Sequence, residues 1–367
     1  MFKNKILNKK TLKLLLRISI SFIFIAFLLH TSNINDTFES LGKANHLILV
    51  LGIGVYILGQ VVSSYKWKLL AEGVGFQNKF REYVNYYFTG MFFNLFLPTT
   101  VGGDVAKCYY LSKSDSKKRK APAIYSVLAE RFTGVAVIAW LGTLGMLFLY
   151  KDIVPFNIII FMAVFSLTIA LFTPFFPSLM MFFFKKKKWV RTMLRDIKPY
   201  WNNPKLVFRA LYWSFFFHLL IIEIHIIIGN AMGLNIPVMY YFVVYPMAAM
   251  AGFIPLAFNG IGPREGTYVY FLSLIGIKQS SALAFGIFWF GIVLISSLIG
   301  GIFYVKGKYA TPPDEEFEFI SEEEDSVLTH ISDTAAILCH HRKDWKPMTV
   351  RSTSIIPEKT DKFQVSN

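Results

Sequence analysis

Phe96-Leu97-Pro98-Thr99-Thr100-Val101-Gly102-Gly103-Asp104-Val105-Ala106-Lys107 decides how this chain is read. A proline, two adjacent glycines, an acid and a base interrupt sequence that is otherwise apolar. The other half of the chain carries a counterpart, Ile254-Pro255-Leu256-Ala257-Phe258-Asn259-Gly260-Ile261-Gly262-Pro263-Arg264-Glu265-Gly266. In lipid, broken backbone and ionisable groups survive only where protein covers them or where they line a wet cavity. Two such segments at matching places in two halves mark a transporter-like binding site.

The sequence around them belongs in a membrane. Of 367 residues, 54% are hydrophobic and 37 are Phe, and the mean hydropathy is +0.47. Apolar runs near 14–30, 46–65, 122–150, 155–177, 207–229 and 281–305 predict six spanning helices, which excludes a soluble globular domain. The net charge of +15 does not point to nucleic acid, because its distribution is that of a topology signal. Residues 1–308 hold 32 Lys/Arg against 11 Asp/Glu, and residues 309–367 hold 6 against 12. On one side lie 27 basic residues; the other has only Lys43, Lys151 and Lys278. The positive-inside rule then places the N-terminus, the basic loops and the tail in the cytoplasm, with a secondary role for the loops in holding anionic headgroups. Lys3, Lys5, Lys9, Lys10 and Lys13 precede the first apolar run as in a signal sequence. No small-x-small site follows, so an uncleaved span is expected. Cys108 and Cys339 both fall on the cytoplasmic side, where free thiols are the default.

Residues 83–112 are apolar, yet basic loops flank them on both sides. They are expected to enter the membrane and return, turning at Pro98–Gly103. Residues 238–278 are expected to do the same from the opposite face, turning at Pro255–Gly262. The order is span, span, re-entrant hairpin, span, twice over, with the second unit starting on the other side. The expected fold is therefore an all-α polytopic membrane protein, with about six spanning helices and two re-entrant helical hairpins in an inverted repeat. Repeat 1 covers about 10–150 and repeat 2 about 155–308. The stretch 185–205 is basic with interspersed Trp189, Val190, Met193, Leu194 and Trp201, and is expected on the cytoplasmic surface. Residues 309–367 form an acidic tail with no sustained pattern, and disorder is expected there. His330, Cys339, His340 and His341 fit no zinc spacing, so no metal or cofactor is expected.

Several residues are candidates for chemistry. Gly102, Gly103 and Asp104 would open the second arm of the first hairpin, where exposed amides and the helix dipole favour a phosphate. Asp104 would cap that arm, hold a cation or pair with an arginine. In the mirrored Gly260-Ile261-Gly262-Pro263-Arg264-Glu265, Pro263 and Glu265 suit a first helical turn. Arg264 is unexplained by capping; a lipid phosphate, or a pair with Glu130 or Asp104, would satisfy it. Glu130 and Arg131 are adjacent on a helix and need separate partners. Glu223, mid-span between His218 and His225, is a proton-coupling candidate or the partner of either histidine. Tyr65-Lys66-Trp67-Lys68 reads most simply as an interfacial belt.

Taken together, Tyr65-Lys66-Trp67-Lys68-Leu69-Leu70, Asn94 through Lys107, Glu130-Arg131-Phe132-Thr133-Gly134 and Gly260 through Gly266 resemble the lysylphosphatidylglycerol synthase transmembrane-domain family. This is the flippase-like membrane half of bacterial multiple-peptide-resistance factors, found also in stand-alone form. The resemblance covers about 10–308. It implies a bacterial inner-membrane protein that moves or binds a polar lipid, and a headgroup site at Gly102, Gly103, Asp104, Lys107, Glu130, Arg131, Gly260, Gly262, Arg264 and Glu265. Two departures stand out. The family's usual arginine is Lys107 here, which keeps the charge but loses the bidentate grip. The acidic tail is also outside the pattern, and it is too short to supply an aminoacyltransferase domain.

The expected function is a lipid translocase with no enzymatic activity. Its partner is a membrane phospholipid or polyprenyl lipid whose anionic or zwitterionic headgroup enters a midplane cavity. No nucleotide-binding loop is present. A polyprenyl-phosphate-dependent membrane glycosyltransferase and a non-transporting partner of lipid-modifying enzymes are the alternatives. A homo-oligomer and a cytoplasmic partner for the acidic tail are left open.

Overall fold

The computed structural model describes residues 9–96, 102–149, 152–184, 187–253 and 260–307. The described residues all belong to one unit, Met1–Ile320; a second unit, Ser321–Asn367, lies outside them, as does the whole tail expected to be disordered. Most of each expected hairpin turn, residues 97–101 and 254–259, is outside them too.

The described residues are helical almost throughout. In chain order the helices are α1 (Lys9–Thr31), α2 (Ile34–Lys43), α3 (His46–Gly73), α4 (Phe80–Phe96), α5 (Gly102–Ser114), α6 (Lys120–Leu149), α7 (Phe156–Phe184), α8 (Lys188–Asn202), α9 (Pro204–Ala231), α10 (Tyr241–Gly252), α11 (Pro263–Leu274) and α12 (Gln279–Lys306). Five of them, α3, α6, α7, α9 and α12, are long and apolar enough to cross a bilayer. The sixth expected span is α1, bent by 88° into α2. Asn33 makes that corner, with a left-handed φ of 61° and a side chain that accepts from the Asn35 amide. The segment between the first two expected spans is therefore mostly helix. The protein is a multi-pass all-α membrane protein.

The arms α4, α5, α10 and α11 have 17, 13, 12 and 12 residues. At the helical rise these are only ~18–26 Å long, short of the ~30 Å hydrocarbon core. They pack in pairs, α4 on α5 and α10 on α11. The remaining contacts swap between halves. α12 packs on α4 while α6 packs on α10; α3 meets α12 while α9 meets α6; α3 and α9 pack on each other most extensively. Each half's last helix thus braces the other half's hairpin, the pairing a two-fold-related repeat produces.

Glycines set how closely the arms approach. A Cβ on Gly103 would overlap the Gly90 carbonyl oxygen, so α4 and α5 touch backbone to backbone. The second hairpin repeats the device. A Cβ on Gly260 (φ 72°) would sit 2.7 Å from the Gly252 carbonyl oxygen. Gly262 adopts φ 106° and its amide donates to Glu265 Oε2 at 2.7 Å, which starts α11.

α8 buries Val190, Met193, Ile197 and Tyr200 and leaves Trp189 exposed, as expected of a surface-lying amphipathic helix. The loop before α6 is clamped. Arg119 donates to Asp115 through Nε at 2.8 Å and Nη2 at 3.2 Å, and reaches the Val74 and Gly75 carbonyls at 3.1 and 3.0 Å. The hydrogen bond from Arg119 lowers the Asp115 carboxyl below its ordinary value. A depressed acid stabilises the fold above its unfolded pKa of about 3.9 and loses that contribution as pH falls through the lower folded value. Asp115→Asn is therefore expected to cost up to about 1 kcal/mol at pH 6, with the difference from wild type shrinking as the pH is lowered below about 4. Thermal melts in detergent across that range check it; a pH-independent difference would remove the ion pair as its cause.

Candidate functional site

The centre of the bundle holds a cavity of about 330 Å³, lined by α3, α6, α9 and α12 and by all four hairpin arms. Its polar wall starts on α3. Tyr56, Gln60 and Ser63 recur at helical spacing, so they share a face, and Lys66 continues the stripe. Lys66 is 2% exposed and Trp67 is fully buried. The interfacial belt expected at Tyr65–Lys68 is thus corrected: α3 runs to Gly73, which carries Lys66 and Trp67 into packed protein. Trp67 Nε1 donates to Ser126 Oγ at 3.1 Å.

Lys66 begins a chain of alternating charge. Its Nζ lies 3.2 Å from Glu130 Oε1 and donates to the Glu130 carbonyl at 3.1 Å. Glu130 Oε2 accepts from Lys107 Nζ at 3.2 Å. Lys107 Nζ also lies 2.8 Å from Asp104 Oδ1, above the rings of Tyr87 (4.6 Å) and Trp67 (5.4 Å). Asp104 takes Arg131 in a fork, Nε to Oδ2 at 2.8 Å and Nη2 to Oδ1 at 3.0 Å. The order is cation, anion, cation, anion, cation, and it ties α3, α5 and α6 together. Ser63 Oγ donates to Glu130 Oε1 at 3.1 Å and so completes that carboxylate. Glu130 and Arg131 do find separate partners. Asp104 is an ion-pair residue; the amide at the start of α5, Gly103 N–H, donates to Asn94 Oδ1 instead.

The cavity lining also carries Arg264, His218 with Tyr245, and Tyr268, whose partner His225 lies behind the lining. Arg264 does not reach Glu130 or Asp104. Its Nε and Nη2 donate to Glu265 Oε1 at 3.0 and 2.9 Å. Glu265 reaches back with Oε2 to cap Gly262, which leaves Oε1 for its neighbour, and the expected pair across the cavity is corrected on that ground. His218 Nε2 must donate to the Gly134 carbonyl (3.2 Å), so its Nδ1 accepts from Tyr245 (2.6 Å). His225 has the opposite tautomer: Nδ1 donates to Ile221 O (2.7 Å), and Nε2 accepts from Tyr268 (2.8 Å). Among the described residues, no hydrogen bond claims Nη1 of either Arg131 or Arg264.

Of the candidate residues, Gly103, Asp104, Lys107, Glu130, Arg131 and Arg264 line the cavity. Gly102, Gly260, Gly262 and Glu265 shape or cap the arms without lining it. Glu223 does neither. It is exposed on the outer face of α9, and both histidines bond elsewhere, so the expected histidine partnership is corrected. Inward-facing residues recur on α9 at His218, Ile221 and His225, and Glu223 lies off that arc. Lys66 is the residue missed from sequence; its helical register with Gln60 and Ser63 was the available signal.

With the geometry in place, comparison with known proteins gives two findings. A stretch of 138 residues is 30% identical to the UPF0104 membrane protein MJ1595 of Methanocaldococcus jannaschii. It spans 37% of this chain and 39% of that relative, so well under two thirds of the relative is covered. The family model described as the lysylphosphatidylglycerol synthase TM region matches residues 14–301, which takes in every residue that lines the cavity. The chain belongs to the lysylphosphatidylglycerol synthase TM region family.

Proposed function

We propose that this protein is a lipid translocase of the bacterial inner membrane, with both termini cytoplasmic, and that it acts as a carrier and not an enzyme. A phospholipid or polyprenyl lipid headgroup enters the central cavity while its hydrocarbon chains stay in the bilayer. Relative rocking of the two repeats then exposes the cavity to each face in turn.

One observation carries this reading. Two guanidinium groups, Arg131 from the first half and Arg264 from the second, line the same cavity, each anchored by a carboxylate on one edge with Nη1 unclaimed among the described residues. A planar, anchored arginine with a free N–H is a pre-organised phosphate ligand. Volume supports it as well. About 330 Å³ is at the small end for ligand sites, suited to a headgroup and too small for a whole lipid. The family assignment agrees with a lipid-related role in the membrane.

Reconstituted vesicles carrying fluorescent phospholipid in both leaflets give the test. Wild type is expected to make inner-leaflet label accessible to an external quencher. Arg264→Ala is expected to fold, because it removes a pair between adjacent residues, and to lose about 10–100-fold in rate by analogy with the loss of a charged hydrogen bond to phosphate. Full rate in Arg264→Ala would exclude Arg264 as a phosphate ligand, and no movement in wild type would end the translocase reading.

A further inference from the structure

The charge count at the cavity names a ligand class. The alternating chain contains three basic side chains, Lys66, Lys107 and Arg131, against two acids, Asp104 and Glu130. Arg264 and Glu265 cancel each other. The stretches 97–101 and 254–259, Leu-Pro-Thr-Thr-Val and Ile-Pro-Leu-Ala-Phe-Asn, add no ionisable side chain. A neutral imidazole satisfies both contacts of His218 and of His225. With every chain member ionised, the site therefore stands one positive charge in excess.

Resting on the translocase reading, we infer that the cavity selects a monoanionic phosphodiester headgroup. An uncompensated charge in a low-dielectric interior is costly, and one negative charge removes the excess. A zwitterionic headgroup leaves the excess in place. It also brings an ammonium, which must compete for carboxylates whose oxygens this chain's own donors already share. A phosphomonoester, close to dianionic at pH 8, overshoots by one. The ends of the alternating chain are both cations, and the more exposed end is Arg131, with 42% of its side chain accessible and Nη1 unclaimed. The phosphodiester takes its place beyond Arg131, extending the alternation by one anion toward Arg264.

The test uses the full chain in detergent at pH 8, titrated with dioctanoyl phosphatidylglycerol, phosphatidylethanolamine and phosphatidic acid. Glycerophosphoglycerol, the same phosphodiester without acyl chains, is a fourth arm. Labelled long-chain forms of the three lipids are followed in parallel across reconstituted vesicles. Phosphatidylglycerol is expected to bind about tenfold more tightly than either other lipid, and more tightly than glycerophosphoglycerol. Lys66→Met, which leaves two cations on two acids, is expected to abolish the preference for phosphatidylglycerol over phosphatidylethanolamine. Asp104→Asn is expected to move it toward phosphatidic acid. Equal binding of the three lipids by wild type, or a preference for either competitor, overturns the charge rule. Selective binding without movement upholds the rule and overturns translocation. Glycerophosphoglycerol binding as tightly as the lipid upholds the rule and overturns the lipid as its source. Binding of none of the four overturns both.

Discussion

Glu130→Gln is expected to be the most damaging single change to the stability of this protein. Glutamine keeps the shape and some hydrogen bonds of glutamate, so any loss reports charge. Glu130 is 4% exposed and holds Lys66 through one oxygen and Lys107 through the other. Neutralising it leaves three cations facing Asp104 alone, in a place water cannot easily reach. Removing one partner of a buried ion pair costs about 3–5 kcal/mol, and here two pairs share the partner. The expected result is little folded protein in membranes and a large fall in melting temperature in detergent. The double variant Glu130→Gln/Lys66→Met removes one of the stranded cations and is expected to recover a substantial part of the loss. Melting temperatures for wild type, both single variants and the double variant form a cycle. A cycle with no coupling would show that Lys66 and Glu130 do not act as a pair.

Gly103→Ala should have the second largest effect, for a steric reason. Its Cβ would collide with the Gly90 carbonyl oxygen and come within 2.7 Å of the Asn94 amide. Backbone is the obstacle, and backbone cannot rotate aside as a side chain can. The two arms must separate, and Asp104, the next residue, moves with them. Overpacking of this kind costs about 1–3 kcal/mol. Activity is expected to fall further than stability, because the fork between Asp104 and Arg131 loses its alignment. Gly54→Ala is the control: no atom lies within 4 Å of its added Cβ, and the same substitution in a helix interior is otherwise mildly favourable. Transport and thermal melts of both variants decide the matter. A silent Gly103→Ala would mean that the arms are not held in backbone contact.

Much of the fold was legible in the residues themselves. Apolar runs located the spans, and the corner at Asn33 only turned the segment after the first of them into a second helix. Basic loops flanking 83–112, and for 238–278 the sides on which the neighbouring spans had to end and start, implied segments that enter and return, and the arms found there are too short to span. The site was legible in part. Glu130 and Arg131, deep in an apolar run, had to face protein, and each found its own partner. Gly103, expected to offer an exposed amide to a phosphate, instead lets α4 and α5 touch and gives its amide to Asn94. Three readings went astray for one shared reason. Lys66 was placed at the interface and lies inside; the histidine partnership offered for Glu223 fails because it lies outside; and of the two partners offered for Arg264, the carboxylate across the cavity is replaced by its neighbour Glu265.

Sequence by itself determined which segments enter the bilayer, where their backbone breaks, and how many charges the interior must accommodate. Those follow from the cost of polar groups in hydrocarbon, which depends on residue type and spacing alone. The direction in which each helix turns its faces was decided only by the tertiary structure. In a soluble protein the apolar face of a helix marks the side that packs. In a membrane the lipid is as apolar as the core, so a spanning helix carries little record of its inward side. Packing of α3 against α9, and of each hairpin against the other half's last helix, fixed those rotations and brought Lys66, Glu130, Lys107, Asp104 and Arg131 into one chain of alternating charge.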